Sequence, residues 1–277
     1  MSSAVFRQGL LDGQVALVSG GGSGIGRAIA VELAGLGAHV VICGRRLEPL
    51  EETASLAAGI EPVTCDIREE DEVAALVDGV VARHGRIDLL VNNAGGQYMA
   101  GAEDITPKGF RTVMRLNVEG TWLMTHAVAT KAMIPAGAGK VVSITLSPHN
   151  GMPGMAHSSA ARAAVENLMR VLSVEWARHG LSLNAIAAGQ IGTPTLLTKY
   201  PKPIVDAMAS TVPAQRLGTV EEIAWLVAYL ASPAGDFVSG AVLTVDGARD
   251  NWSGRWPPSA SADADGHPLA EARQPSP

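Results

Sequence analysis

Two periods alternate along this chain. Short runs in which every position is apolar, such as Val15-Ala16-Leu17-Val18 and Val40-Val41-Ile42-Cys43, give way to longer stretches where apolar residues return at wider spacing, such as Ile25, Ile29, Val31 and Leu33. An unbroken apolar run suits a strand covered on both faces, and the wider spacing suits a helix laid on it. The pattern predicts strands at 14–19, 38–43, 61–65, 87–92, 140–145, 182–187 and 241–245. It predicts helices at 24–36, 46–58, 69–84, 107–134, 157–179 and 219–231. Such alternation implies a parallel sheet with right-handed crossovers, a doubly wound (Rossmann-like) α/β fold whose ligands lie beyond the carboxyl ends of the strands.

No linker interrupts the alternation, so one domain is expected over residues 13–250, after an N-terminal extension at 1–12. Residues 251–277 are rich in Pro, Ser, Ala, Asp and Gly, a composition that buries little. Trp252 and Trp256 stand out in that tail and are expected to dock on the body or on a neighbouring subunit.

Composition narrows the picture. The chain is 47% hydrophobic but only 4% aromatic, so its core is built from Ala, Val, Leu and Ile. A net charge of -6 gives no basic footprint for nucleic acid and no polybasic segment for an anionic membrane. No apolar run reaches the ~18–20 residues of a membrane span, and the N-terminus lacks the order of a secretory signal. A soluble cytoplasmic protein is the resulting expectation. Cys43 and Cys65, the only cysteines, sit in or beside strand-like runs and are expected to be buried free thiols. No Cys/His cluster has metal-ligand spacing, so no metal is expected.

The chemistry begins at Gly20-Gly21-Gly22-Ser23-Gly24-Ile25-Gly26, which follows the first strand and opens the first helix. Glycines at 20, 24 and 26 allow a tight turn, a close approach of backbone to pyrophosphate and a close approach of helix to strand. The helix N-terminus then offers N–H groups to phosphate. The second strand ends in Gly44-Arg45-Arg46, where a carboxylate would bind the ribose 2′-hydroxyl of NAD. Two arginines suit a 2′-phosphate instead, which favours NADPH with Arg45 as the principal contact. The alternative is an ordinary solvated helix start.

Gly20-xxx-Gly24-Ile-Gly26, Asp66, Asn92-Asn93-Ala94-Gly95 and Asn117 together resemble the short-chain dehydrogenase/reductase family over about residues 12–248. The resemblance implies that Asp66 and Ile67 meet the adenine, that Asn92 closes over the adenosine side, and that Asn93, Ala94 and Gly95 border the cofactor. It implies that Asn117 orders an active-site water, and that Thr193 approaches the nicotinamide amide after Gly189 and Ile191. It also implies a dimer bundle made by the helices at 107–134 and 157–179, and a homotetramer.

The family's usual acid/base is a tyrosine followed one turn later by a lysine. Here those positions are Ser158 and Arg162, and Thr145 replaces the usual serine. A serine hydroxyl does not titrate near neutrality and arginine stays charged, so tyrosine-type alcohol oxidation does not carry over. Arg162 can still hold the nicotinamide ribose. Gly95-Gly96-Gln97, His157-Ser158-Ser-Ala-Ala-Arg162 and Asp250-Asn251-Trp252 resemble the peroxisomal trans-2-enoyl-CoA reductase type, beside the 2,4-dienoyl-CoA reductases. Bacterial relatives of this look are described as citronellol or citronellal dehydrogenases. In the enoyl reductase branch the proposed acid lies four residues after the arginine, which is Glu166 here.

Ser158, Arg162 and Glu166 fall on one helix face. Glu166 either relays a proton through water or pairs with Arg162. Tyr98, Tyr200, His149 and His157 are further proton sources, or else pocket walls and structural histidines. Reduction of an α,β-unsaturated thioester puts charge on the carbonyl oxygen, which needs hydrogen-bond donors more than an acid in contact. Thr145, Asn117 and Ser158 are candidate donors, and residues 193–215 read as an apolar loop closing over an elongated substrate, with Lys199 and Lys202 facing coenzyme A phosphates. The site thus suits NADPH-dependent conjugate reduction. A dehydrogenase or ketoreductase acting on a terpenoid, and a cofactor-binding protein without turnover, remain as alternatives.

Overall fold

Seven parallel strands make one sheet, in the order β3-β2-β1-β4-β5-β6-β7, in the computed structural model, which describes residues 3–254. In chain order the strands are β1 (Val15–Ser19), β2 (His39–Gly44), β3 (Ile60–Thr64), β4 (Leu89–Asn92), β5 (Gly139–Leu146), β6 (Leu181–Ala188) and β7 (Val242–Val245). The first helices are α1 (Gly24–Gly35), α2 (Leu47–Ala54) and α3 (Glu70–His84). They are followed by α4 (Pro107–Met114), α5 (Gly120–Val128), α6 (Ile134–Ala136), α7 (Ala156–Trp176), α8 (Pro194–Lys199), α9 (Lys202–Ser210) and α10 (Val220–Ala231). From β1 the chain steps outward to β3, crosses back to β4 and then runs outward to β7. Connections therefore leave β1 and β4 in opposite directions, and a crevice opens between their carboxyl ends.

The apolar runs become strands because both of their faces are covered. All five residues of β1 and all eight of β6 are buried. Ala16 and Val18 pack with Ile29, Leu33, Ile223 and Val227 of α1 and α10. Val15 and Leu17 of the same strand pack the other way, with Val77 and Val80 of α3 and Met124 of α5. Helix α10 begins with a complete capping box between Thr219 and Glu222. Cys43 and Cys65 are buried and unlinked. No helix among the described residues is long and apolar enough to cross a membrane.

Two stretches depart from the expected elements. The helix expected at 107–134 is helical throughout, but π turns at Arg115–Glu119 and Ala129–Met133 widen it. Residues 193–215 are not a plain loop, because they hold α8 and α9. Prolines start these helices. Pro194 lies in the first turn of α8, whose cap Thr193 accepts from the Leu196 N–H at 3.2 Å, and Pro203 lies in the first turn of α9. Lys202 is tied to Asp206 at 2.6 Å, and the Lys199 ammonium stands 5.9 Å from the centre of the Tyr200 ring. Trp252 is half-buried and lies beside Arg249, so it docks on the body; Trp256 lies outside the described residues.

Leu17 is fully buried between β2, β4 and α3. Leu17→Ala is expected to lower unfolding free energy by about 2–5 kcal/mol, read from the midpoint and slope of urea denaturation.

Candidate active site

The crevice at the sheet's switch point is a cavity of about 430 Å³. Its walls include Gly20, Ser23, Gly24 and Ile25 from the glycine turn, Arg45 and Arg46 after β2, Asp66 and Ile67 after β3, Asn93, Ala94 and Gly95 after β4, and Thr193. Gly20 and Gly24 have φ of +69° and +52°, which side chains rarely tolerate. Gly26 lies beneath the turn rather than in the wall. A Cβ there would come within 2.3 Å of the Gly20 carbonyl oxygen and 2.4 Å of Asn93 Nδ2.

The cavity suits a dinucleotide on its own chemistry. Ser23 precedes α1 without a side-chain cap, and the first turn of α1 holds no acidic residue, so its N–H groups stay open to an anion. Arg45 and Arg46 are exposed at the far rim. Arg68 grips Asp66, with Nε donating to Oδ1 at 2.8 Å and Nη2 bonded to Oδ2. That guanidinium, helped by Arg45, holds the Asp66 carboxyl down at about 2. Asp66 is therefore a fixed acceptor in the cavity wall, and in residue order only the neighbouring arginine hints at its clamp.

Asn92 does not close over the cavity. Its Nδ2 donates to Thr125 Oγ1 at 2.8 Å and to Ser143 Oγ at 3.3 Å, so it ties β4 to α5 and β5 on the opposite face. Alternation along the strand explains this, since Asn93 points the other way. Asn93 Nδ2 donates to the carbonyls of Ser19 and Gly20 at 3.0 and 3.1 Å.

Gly95 is where the two halves of the site meet. A Cβ there would fall 2.5 Å from Arg162 Nη2 and 2.7 Å from Asn117 Oδ1. Arg162 donates from Nη1 to the Ile144 carbonyl at 2.9 Å, while its buried Nε has no partner among the described residues. Burial pushes its guanidinium down to about 10, which leaves it charged at neutral pH. A fixed cation with an unused donor suits a ribose hydroxyl. Gly189 lies against Asp246 at the end of β6, and buried Ile191 bridges to Gly218. Thr193 spends its hydroxyl oxygen as the α8 cap.

The expected donors are largely committed. Both N–H groups of Asn117 are used, donating to Gly96 O at 2.9 Å and Val113 O at 2.8 Å, so Asn117 clamps the strand after β4 rather than offering a donor. It can do so because the π turn at Arg115–Glu119 swings it inward. Ser158 is fully buried and donates to Gln97 Oε1 at 2.8 Å. Thr145 Oγ1 donates to Glu166 Oε1 at 2.9 Å.

Glu166 and Arg162 do not pair, although four residues apart on one helix. Arg162 turns toward β5, and Glu166 lies 3.4 Å from His149 Nε2 and 4.0 Å from Arg170 Nη2. His149 Nδ1 is bonded to Asp250, a pairing invisible in the sequence because 101 residues separate the two. Ser147 is bonded to Asp246 in the same way. His157 is fully buried, accepts the Ser158 N–H at Nδ1 and stands edge-on to Tyr98 with ring centres 4.4 Å apart. Tyr200 sits apart on the outer segment, 39% exposed. Among the described residues no group of three or more His, Cys, Asp or Glu could hold a metal ion.

The family model described as enoyl-(acyl carrier protein) reductase matches residues 20–248. A peroxisomal 2,4-dienoyl-CoA reductase of Arabidopsis thaliana is 35% identical, with 87% of this chain and 86% of that protein covered. Gluconate 5-dehydrogenase of Gluconobacter oxydans is 38% identical over 86% of this chain and 94% of its own. Among solved structures, a citronellol catabolism dehydrogenase of Pseudomonas aeruginosa PAO1 is 42% identical and superposes with a TM-score of 0.80, covering 89% of this chain and 98% of that one.

Asn92→Ala is expected to cost about 1–3 kcal/mol in urea unfolding, as two buried hydroxyls lose their partner, while dinucleotide affinity measured by calorimetry stays unchanged.

Proposed function

The chain belongs to the short-chain dehydrogenase/reductase family of oxidoreductases, which use a nicotinamide cofactor, and from that premise we propose that it reduces an α,β-unsaturated thioester with NADPH. The observation that carries this reading is the contact between the Thr145 hydroxyl and the buried Glu166 carboxylate, at a site whose usual phenol position is filled by Ser158.

When bound, the nicotinamide supplies a hydride to the β-carbon. Arg45 and Arg46 would hold a 2′-phosphate, the open N–H groups of α1 the pyrophosphate, Asp66 and Ile67 the adenine, and Arg162 the nicotinamide ribose. Gly26 and Gly95 let these groups approach, and Gly189, Ile191 and Thr193 would border the nicotinamide.

Charge then gathers on the thioester oxygen, and this chain must steady it and deliver one proton. Thr145 has a single hydroxyl proton. While Glu166 is ionised, that proton points at the carboxylate. Protonation of Glu166 reverses the bond, because the carboxyl can then donate to Thr145 Oγ1. The Thr145 hydroxyl is thereby released to donate toward the substrate, and the proton ends on the α-carbon. Arg162 adds fixed positive charge beside the same pocket. A ketone would need its acid in direct contact with oxygen at the moment of transfer, which Ser158, bonded to Gln97, does not provide.

A second reading, oxidation or reduction of a terpenoid alcohol or aldehyde, is favoured by the likeness to the citronellol catabolism dehydrogenase. Assembly as a homotetramer is part of the proposal. Exposed Phe110 on α4, Trp122 on α5, and Val171 and Val174 on α7 offer a second copy an apolar face.

NADPH consumption is expected with trans-2-enoyl- or 2,4-dienoyl-CoA, and no NADPH formation from NADP and simple alcohols; turnover confined to alcohols overturns the reading. Thr145→Ala and Glu166→Gln are each expected to lower kcat by about 10²-fold, with smaller changes in KM, in steady-state assays. Arg45→Ala is expected to weaken NADPH binding by about ten- to a hundredfold, leaving NADH binding untouched, in fluorescence titrations.

A further inference from the structure

His149 hangs from the segment between β5 and α7, between two carboxylates. Its backbone N–H donates to Asp250 Oδ1 at 2.7 Å, and its Nδ1 is bonded to Asp250 Oδ2. On the other side its Nε2 lies 3.4 Å from Glu166 Oε1, the same oxygen that accepts the Thr145 hydroxyl at 2.9 Å. The side chains thus stand in series, Asp250, His149, Glu166, Thr145, with hydrogen bonds at both ends and an ion-pair approach of 3.4 Å between His149 and Glu166. The series runs from an imidazole 30% exposed to a carboxylate 6% exposed. The outer end is braced. Asp250 N–H donates to Asp246 Oδ2 at 2.7 Å, and that same oxygen is bonded to Ser147. The bonds of Ser147 to Asp246 and of His149 to Asp250 therefore stitch the segment after β5 to the turn after β7.

We propose that His149, clamped by Asp250, supplies the proton of the reaction by charging Glu166 from bulk water. This rests on the conjugate-reduction reading above. The transfers balance without any change of oxidation state in the protein. The imidazolium gives its Nε2 proton to Glu166 Oε1 and is left neutral, with the Nδ1 proton held by Asp250. The Glu166 carboxyl gives its proton to Thr145 Oγ1 as the Thr145 hydroxyl proton passes to the reduced substrate. The ring regains a proton from water. One proton has then moved from solvent to substrate, and all four side chains are restored.

The surrounding charges favour a ring that holds its proton until the site draws on it. Burial alone pulls the His149 imidazole down, but the Asp250 bond and the charges of Glu166 and Asp250 outweigh it and raise it above the ordinary histidine value, with Arg170 opposing. Burial pushes the Asp250 carboxyl up, yet its bonds to His149 hold it below the usual carboxylate range. Asp246 adds a further acid behind Ser147. The charged form of the ring is thereby favoured beside the one carboxylate that touches Thr145. The 3.4 Å gap exceeds a tight charge-assisted bond, as catalytic bonds commonly do before substrate closes the site.

A purely structural triad, pinning the turn after β7 to the site, predicts different behaviour. His149→Gln keeps hydrogen-bonding groups but carries no titrating proton. For the wild type, kcat is expected to be high at low pH and to fall as pH rises through the His149 midpoint. His149→Gln is expected to lose that limb and about 10²-fold in kcat at neutral pH, with KM nearly unchanged. Added imidazole is expected to restore turnover to folded His149→Ala. A His149→Gln profile that superimposes on the wild type, or no rescue by imidazole, overturns the proposal.

A substrate-free measurement separates this proposal from the reading it rests on. NMR titration of the His149 ring is expected to show a midpoint moved to lower pH in both Glu166→Gln and Asp250→Asn, and an unmoved midpoint in either overturns the linkage. Both shifts in a protein that reduces no enoyl thioester would uphold the proton path and discard the substrate class.

Discussion

The approach of α1 to the carboxyl ends of β1 and β4 is the constraint on which the site rests. It is possible only because Gly26 has no side chain, which lets Asn93 reach the carbonyls of Ser19 and Gly20 together. That contact joins the glycine turn to the segment after β4. The same segment carries Gly95, and Gly95 in turn admits Arg162 from α7 and Asn117 from the widened helix. Three elements remote in sequence are thus aligned by two positions that lack a Cβ. A methyl group at Gly26 would meet the Gly20 carbonyl and the Asn93 amide, and one at Gly95 the buried Arg162 guanidinium and Asn117 Oδ1.

Beyond that frame, the chemistry is a matter of which hydroxyl keeps its proton to give. Ser158 has spent its proton on Gln97, and Asn117 has spent both of its own on backbone carbonyls. Of these three expected donors, Thr145 alone is bonded to a group that can change charge. A hydroxyl beside a carboxylate is an acceptor-facing donor in one protonation state and an outward donor in the other. In the proposed reaction, the replacement of a titrating phenol by serine moves the acid back from the substrate to Glu166, behind a threonine.

Much of this was legible from residue order. The seven strands and the helices on them followed from apolar periodicity, because burial on both faces leaves no polar position inside a strand. The glycine turn could be read because backbone freedom is a property of residue type, and Arg45 and Arg46 do line the crevice as their place after β2 suggested. Orientation was harder to read. Asn92 and Asn93 are chemically identical neighbours, and only the strand's pleat assigns one to the sheet interior and the other to the turn. Arg162 and Glu166 have helical pairing distance, yet Ile144 and Thr145 on β5 outbid that local pair from across the sequence. Prolines at 194 and 203 mark a loop or a helix start equally well until the residues that follow are seen to coil. The Asp250 contact to His149 belongs to tertiary structure alone, since no local rule links positions so distant.

The widened turn at Arg115–Glu119 also sets the phase of everything that follows it in the same helical rod. A π turn accommodates one residue more than an α turn, so side chains downstream are displaced by about 100° around the axis relative to an uninterrupted helix. Met124 and Val128 pack with strand residues and Thr125 bonds Asn92 in that shifted frame, while Val113 is buried in the frame before the bulge. Shortening the rod by a single residue there would retract Asn117 from Gly96 and spin the buried face of α5 away from β4 at the same stroke. The cofactor crevice and the packing of the helix layer are consequently written into one count of residues, and neither can be lengthened or trimmed without the other.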